Sequence, residues 1–519
     1  MSRMRLTVAV CLSLFVFSDC DGVSIQSATV VTLRDGVSIE PMLFGVNDII
    51  GPVNQISYSS PQLMQTATSI SLGGLRYPGG TVANYWNMTS GRYVDKCNAS
   101  CCSEFGSVVD KFPLGTFTLA NMVSGMAKYT MAGKPVIDLN CLTLSSAEVI
   151  AQLDLLSPAC AGSECLIELG NELYLNSDDY VKTFPTVQTY VDYIKPIVAE
   201  IQKKFPKALI SVPAGNSGSA LALAKNPKPQ NRQAEWILGL ANNLDLFDAI
   251  TIHDYTLNGQ TLSKKPENDL PSIVAAFPEG LYKRMVEALK PYFSSKQYWF
   301  TEYNTGKGTG YLASIQGTGL HGLHVLSHVM AGMQYSANIK VMFYHSLLSV
   351  TGVDWDHRGM IHLDSFNGTK LYNNGVSQLF AHVNHIANTS DMMHGVDLKG
   401  GPMLPNVGID WLENMSCVQA VAFTTGTPVS NIRYVVINRC TGTPLNVSIQ
   451  LPSGGSWKGQ RISYDISDLN TGNWTAIPEL PQVFPWPVPV PSTTTIIPSK
   501  TEEITIALDS LTLNVISLL

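Results

Sequence analysis

The chain has 519 residues, 45% of them apolar and only 14% charged, with 33 Lys and Arg against 40 Asp and Glu. So large an apolar fraction excludes a disordered or fibrous chain, and the length suits a large barrel with an accessory domain. With a net charge of -7 and no Lys/Arg run longer than two, no phosphate-tracking stripe is present, so no nucleic-acid partner is expected.

Residues 1–22 read as a signal peptide: Arg3 and Arg5 precede the apolar run from Leu6 to Phe17, followed by the small residues Ser18 and Cys20. No other stretch approaches a membrane span, so no integral membrane segment is expected. Secretion to an extracellular or lysosome-like compartment follows. It agrees with seven Asn-x-Ser/Thr sequons, at Asn87, Asn98, Asn367, Asn388, Asn414, Asn446 and Asn473. Eight cysteines remain after residue 22, an even set without any C-x-x-C spacing, which favours disulfides over a zinc site. Cys417 and Cys440 stand alone in the C-terminal region and are expected to pair.

Eight short apolar runs, each ending in a polar residue or Gly, recur along the chain at 42–47, 74–80, 135–140, 165–172, 209–215, 249–255, 297–304 and 340–346. Segments between them, such as 187–204 and 281–289, place apolar residues three and four apart, as crossover helices do. Eight strands alternating with helices predict an α/β fold, a (β/α)8 TIM barrel over residues 41–390. From about residue 396 the pattern changes to apolar-polar alternation broken by Gly, Pro and Asn turns, which predicts an antiparallel β-sandwich domain over 391–519. Residues 23–40 share that character and are expected to add strands to the sandwich. The Pro-rich stretch 481–498 reads as an exposed loop, and the terminal stretch, interrupted by Asn514, as a closing strand.

In such a barrel the functional groups stand at the carboxyl ends of the strands. Strand four ends with Asn171 and Glu172, and strand seven with Glu302. These two strands face each other across the mouth, and two carboxylates about 5–5.5 Å apart perform retaining glycoside hydrolysis, one as acid/base and one as nucleophile. Glu168 shares the parity of Glu172 but, at about 3.3 Å per extended residue, would lie roughly 13 Å deeper, as a buried structural carboxylate. Arg76 on strand two is placed to keep Glu302 ionised, and Tyr255 on strand six to donate to the same carboxylate, with His253 on the same face below. Glu172 needs a drier setting that keeps it protonated.

These residues resemble those of the retaining glycosidases with a (β/α)8 barrel, in which Asn-Glu ends strand four and a nucleophilic Glu ends strand seven. The resemblance rests on LRYPGG at 75–80, ELGNE at 168–172, IHDY at 252–255 and FTEYN at 300–304. Within that clan the chain is most similar to the heparanase and β-glucuronidase family. The resemblance implies Glu172 as acid/base, Glu302 as nucleophile and Asn171 as partner of the sugar 2-hydroxyl. It further implies that the glycine run of Gly306, Gly308 and Gly310 holds a uronate carboxylate through backbone amides. That family carries a carboxylate-binding Tyr after strand eight, and residues 358–364 contain none. RYPGG and Asn140 at the end of strand three are also similar to the α-L-arabinofuranosidases of the clan.

The expected partner is therefore an oligosaccharide or polysaccharide, with Asn171, Arg76, Asn140, His253, Tyr255, Gly308 and Gly310 as candidate binding residues. No cofactor and no metal is expected, because carboxylate-pair hydrolysis needs neither. The net negative charge disfavours heparan sulfate as substrate. Trp355, His357 and Arg358, after strand eight, are candidates to line subsites. His321, His324 and His328 at helical spacing read as core rather than as metal ligands, and Met122, Met126 and Met131 as a core stripe. The reading from a different class is a carbohydrate-binding protein that keeps the barrel without catalysis, against which the retention of Asn171 and both Glu counts.

Overall fold

A computed structural model describes residues 26–518 apart from 48–59, 95–96, 98–108, 111, 229–230, 258, 307–310, 336, 351–358, 364–370, 427–428, 443, 451–458, 467–490, 497–502 and 510. The signal peptide expected over residues 1–22 lies outside this range. Eight parallel strands, Gly45–Asn47, Leu72–Tyr77, Thr130–Asp138, Leu166–Glu168, Leu209–Asn216, Ala249–Asp254, Gln297–Tyr303 and Ile339–His345, pair in sequence order, and the eighth closes on the first. They are numbered one to eight below. Each coincides with one of the apolar runs. The first is shortened because Pro41 opens a 3-10 turn at Pro41–Phe44.

Helices between the strands start where their caps allow. Thr186 opens Val187–Lys204 with a capping box, and Ser60 accepts from the Leu63 amide with Pro61 in the first turn of Pro61–Ile70. The pattern read over 281–289 is the middle of a longer helix, Leu270–Phe293, which carries Pro278 inside it. Met122 and Met126 are buried in helix Leu119–Tyr129, whereas Met131 lies past its end in strand three, so the stripe is not continuous. Met42, from the turn before strand one, packs with Val136, Leu166, Ala249, Trp299, Val341 and Phe343 from strands three, four, six, seven and eight. Because Val136 is the ladder partner of the inward Arg76 and Leu166 that of Val136, the cluster forms the apolar plug inside the barrel.

The sandwich is built from both ends of the chain. Met392–Gly400 changes partners halfway, with residues 392–395 pairing to Val418–Thr425 and residues 396–400 to Gln26–Leu33. One sheet continues through Leu445–Gln450 and Glu503–Leu508, and the other through Asn431–Asn438, Thr512–Leu518, Gly459–Asp465 and Pro491–Ile496. Gln26–Leu33 runs parallel to Leu445–Gln450, an exception to the antiparallel pattern, because no hairpin joins these two strands to impose the opposite direction. Residues 491–496 also depart from the expected loop. They form an edge strand, and Pro491 is tolerated as its first residue.

Cys417 is bridged to Cys440 and Cys160 to Cys165, and Cys97 is also disulfide-bonded. Cys141 is a buried free thiol, so the cysteines do not all pair. Among the sequons Asn414 is exposed and Asn87, Asn388 and Asn446 are half-buried, while Asn98, Asn367 and Asn473 fall outside the described residues. No helix among the described residues is long and apolar enough to cross a membrane.

The long helix Leu270–Phe293 meets the turn at Asp410–Leu412 through Gly280, where a Cβ would lie 2.3 Å from the Trp411 carbonyl oxygen. Backbone cannot yield as a side-chain tip can. Gly280→Ala is therefore expected to destabilise the protein by roughly 1–3 kcal/mol, seen as a lowered thermal midpoint with the circular dichroism of the native state unchanged.

Candidate active site

The polar centre of the barrel is Arg76, which strand two points inward and which is fully buried. Its guanidinium donates from Nε and from one terminal nitrogen to both oxygens of Glu168, at 2.8 and 3.0 Å. The same terminal nitrogen reaches Asp138 at 2.8 Å and Asn171 Oδ1 at 2.9 Å, and the other reaches Glu302 Oε1 at 2.7 Å. One cation thus serves three buried carboxylates. Burial pushes the Asp138 carboxyl well above its ordinary range, against the pull of Arg76, so it takes up a proton before Glu302 does.

Glu302 accepts hydrogen bonds from three residues. Oε1 also accepts from Asn47 Nδ2 at 3.2 Å, and Oε2 accepts from Tyr255 at 2.8 Å. Nδ1 of His253 and Nδ1 of His345 each lie 3.6 Å from Oε2. Burial by itself would raise this carboxyl, but His253, His345, Arg76 and the Tyr255 hydroxyl together lower it to about 2. Arg76 and Tyr255 thus stand where the strand-end reading put them. Gly80, with φ +61, lies directly above, and a Cβ there would come 3.5 Å from Glu302 Oε1. A side chain at that position would fill the space over the carboxylate.

Glu172 sits opposite. One oxygen of Glu172, one of Glu302 and one His253 nitrogen lie within 4.8 Å of one another. Contrary to the expectation of a drier setting, Glu172 is the more open carboxylate, its side chain 21% exposed against 7% for Glu302. Tyr174 donates to it at 3.3 Å and His253 Nδ1 lies 2.9 Å away. The proton count on His253 follows from its other side. Thr301 Oγ1 donates to Glu168, which as a carboxylate only accepts, so the same hydroxyl accepts from His253 Nε2 at 3.1 Å. Nδ1 of a neutral His253 then offers a lone pair to Glu172, and this contact requires one proton between them. Although burial lowers the imidazole pKa, Glu302 and Glu172 outweigh it and hold it above its ordinary value.

Glu168 does not lie four extended residues below Glu172. The strand-four ladder stops at Glu168, and Gly170 at φ 91 and Glu172 at φ 51 curl the chain back over the barrel. Glu168 therefore forms the floor of the site, fully buried, joined to Glu302 through Arg76.

Asn171 is buried, with Oδ1 held by Arg76 and Nδ2 without a partner among the described residues. Asn140 is not in this cluster: its amide binds the Trp86 carbonyl and Thr143, and its oxygen accepts from the amides of Leu142 and Thr143. Gly306 gives its amide to the Leu257 carbonyl at 2.7 Å. Gly308, Gly310, Trp355, His357 and Arg358 lie outside the described residues. His321, His324 and His328 are buried on helix Gly319–Gln334, bound to Asn304, the Val274 carbonyl and Tyr282 respectively. Burial lowers His324 to about 4. Among the described residues, Glu172, His253 and Glu302 form the one group of three His, Cys, Asp or Glu ligands close enough to share a cation, and Arg76 opposes a cation there.

Asn47 ends its predicted strand and His345 stands one residue before the end of its own, so the strand-end rule reaches both, yet neither is among the expected site residues. Asp138, Thr301 and Tyr174 carried no such signal, being interior to a strand or two residues past a site residue.

No protein-family model matches the sequence, and no curated protein does. Solved structures match over 95% of the chain. They include the GH51 arabinofuranosidase from Xanthomonas axonopodis pv. citri (TM-score 0.65, 13% identity, 99% of that chain) and the α-L-arabinofuranosidase from Thermotoga maritima in complex with arabinose (0.64, 15%, 99%). A 4-O-α-L-rhamnosyl-β-D-glucuronidase from Fusarium oxysporum 12S aligns at a TM-score of 0.55 and 12% identity, over 99% of its chain. The fold is one that these glycoside hydrolases share. At such identities the likeness is one of architecture, a closed barrel with an attached β-domain.

The lowered pKa of Glu302 has a stability consequence. A carboxyl whose folded value lies below its unfolded 4.5 stabilises the fold fully above 4.5, and that stabilisation is lost as pH falls toward about 2. The carboxyl 13C shift of Glu302 is expected to stay flat from pH 3.5 to 8. Arg76→Met leaves its carboxylates uncompensated and is expected to cost about 3–5 kcal/mol in denaturant unfolding.

Proposed function

We propose that this chain is a retaining glycoside hydrolase, with Glu302 as nucleophile and Glu172 as acid/base. The observation that carries the reading is the pair itself: two carboxylates from strands four and seven with oxygens within 4.8 Å, suited to the short separation of retaining rather than inverting enzymes. Their environments separate the roles. Glu302 is held ionised by His253, His345, Arg76 and Tyr255, whereas Glu172 shares a proton with His253 and is open to the leaving group.

In the first step Glu302 attacks the anomeric carbon, the glycosidic C–O bond breaks, and the proton of Glu172 passes to the leaving oxygen. In the second, Glu172 as carboxylate takes a proton from water, whose oxygen attacks the same carbon while the bond to Glu302 breaks. His253 is placed to share the Glu172 proton before the first step and again after the second. The unpartnered Nδ2 of Asn171 suits a sugar hydroxyl beside the reacting carbon.

For the sugar, the described lining favours a neutral glycosyl group, with an α-L-arabinofuranoside as first candidate. Each nitrogen of Arg76 is already engaged, the Gly306 amide is taken, and the polar atoms left open near Glu302 are the neutral Asn47 Oδ1 and Asn171 Nδ2. A β-glucuronide is the second reading, favoured by the glycine run that continues through Gly308 and Gly310. The expected signal peptide over residues 1–22 and the seven sequons support a reading of the chain as a secreted glycoprotein.

Initial rates on 4-nitrophenyl α-L-arabinofuranoside, β-D-glucuronide, β-D-glucoside and β-D-xyloside test the sugar. Release from the arabinofuranoside is expected, and release from the glucuronide alone would transfer the assignment to a uronate. With methanol present, the methyl glycoside formed should keep the anomeric configuration of the substrate. Glu302→Gln is expected to lower turnover on the order of 10^4-fold with native circular dichroism. A fully active Glu302→Gln would remove this residue from the mechanism.

A further inference from the structure

The stretch that carries Asn171 and Glu172 has no sheet to hold it. The last ladder contacts of strand four are Leu139 N to Glu168 O at 2.9 Å and Leu169 N to Ser211 O at 3.0 Å. Beyond them the backbone turns through Gly170 at φ 91 and Glu172 at φ 51. Glu302, in contrast, lies within strand seven, which is paired on both sides to strands six and eight. A buried main chain outside a ladder must find other partners.

The Leu169 carbonyl accepts from the Tyr190 hydroxyl at 2.7 Å and the Glu172 carbonyl from the Leu175 amide at 2.9 Å. The partners of Asn171 come from Asn84, in the 3-10 segment Gly80–Tyr85 that follows strand two. Its Nδ2 donates to the Asn171 carbonyl at 2.7 Å, and its Oδ1 accepts from the Asn171 amide at 3.1 Å. Both main-chain groups of one residue are thus bound by one carboxamide, as a neighbouring strand would bind them. Asn84 is fully buried, and Nδ2 also reaches the Tyr180 hydroxyl at 3.0 Å. Its own carbonyl accepts from Thr143 Oγ1 at 2.9 Å, and Thr143 is bound in turn by Asn140. The brace therefore runs from the loop after strand three, through Asn84, to the residue preceding Glu172. Asn140 belongs to this brace.

We propose that Asn84 is the positioning residue of the acid/base carboxylate: it replaces the missing ladder at the end of strand four and sets where Glu172 delivers its proton. This rests on the reading of Glu172 as proton donor. Because the nucleophile is held by its own ladder, loss of the brace should impair protonation of the leaving oxygen and spare attack by Glu302. A displacement of about 1 Å at a catalytic group costs on the order of 10^2-fold, and general acid catalysis contributes about 10^2 to 10^4-fold.

The test compares phenyl glycosides, whose poor leaving group needs the proton, with 2,4-dinitrophenyl glycosides, whose leaving group does not. The α-L-arabinofuranosides are used, or the β-D-glucuronides if those turn over instead. Asn84→Ala is expected to lower kcat/KM, which reports the first step alone, on the order of 10- to 100-fold on the phenyl substrate and under about 3-fold on the dinitrophenyl substrate. Equal losses on both substrates, following a lowered thermal midpoint, would make Asn84 a structural residue only and overturn the proposal. Should Asn84→Ala not fold, Asn84→Asp keeps the acceptor for the Asn171 amide and removes the donor. It is expected to show the same leaving-group selectivity at smaller size, and equal losses would overturn the proposal in the same way. Glu172→Ala is the control. If it shows the selectivity and the Asn84 variants do not, the brace fails while the acid/base reading stands. If Glu172→Ala itself shows none, that reading fails.

Discussion

The site depends on one buried guanidinium. Arg76 lies where water cannot reach and holds Glu168, Asp138 and Glu302 around it. Three carboxylates in such a place repel one another, and without the cation burial would push each toward its protonated form. With it, the demand for a proton falls on Asp138, and Glu302 stays charged. Ion pairs of this kind cost desolvation energy and are weak evidence of stabilisation; their effect here is to fix which carboxylate is ionised.

The opposite carboxylate is governed by hydrogen bonding, through a chain that begins at the same guanidinium. Arg76 holds Glu168 as an acceptor, Glu168 orients the Thr301 hydroxyl, and Thr301 Oγ1 accepts the hydrogen bond of His253 Nε2–H. His253 is left with Nδ1 facing Glu172. The ionised state of Glu302 and the proton shared at Glu172 are thus two ends of one network. The two carboxyl groups differ in what surrounds them, one bound to a cation and the other to an imidazole.

The rest of the fold holds these groups in register. The apolar plug under Arg76 fills the lower barrel, and the closed ladder fixes Arg76, His253 and Glu302 on rigid strands. The end of strand four leaves the ladder before Asn171, and there the Asn84 carboxamide binds both main-chain groups of that residue. The β-sandwich packs against the outer helices, joined at Gly280 and the turn containing Trp411, and takes strands from both ends of the chain.

Much of this was legible in the sequence, because strand periodicity and polar strand ends are local properties. The eight runs mark the eight barrel strands, the change of period near residue 396 marks the sandwich, and the rule that function gathers at carboxyl ends selects Arg76, Glu172, His253, Tyr255 and Glu302. Asn47 and His345 were available to the same rule. What only the tertiary structure decided depends on departures from regular backbone and on contacts between distant segments. Extrapolating strand four as extended put Glu168 far below the site, whereas two left-handed residues bring it into the floor. Asn140 ends a strand as a binding residue would, yet its amide is engaged in the turn beside it. Asn84 lies in a loop with no periodicity, and its partner is 87 positions away in the chain, a distance that local pattern cannot bridge.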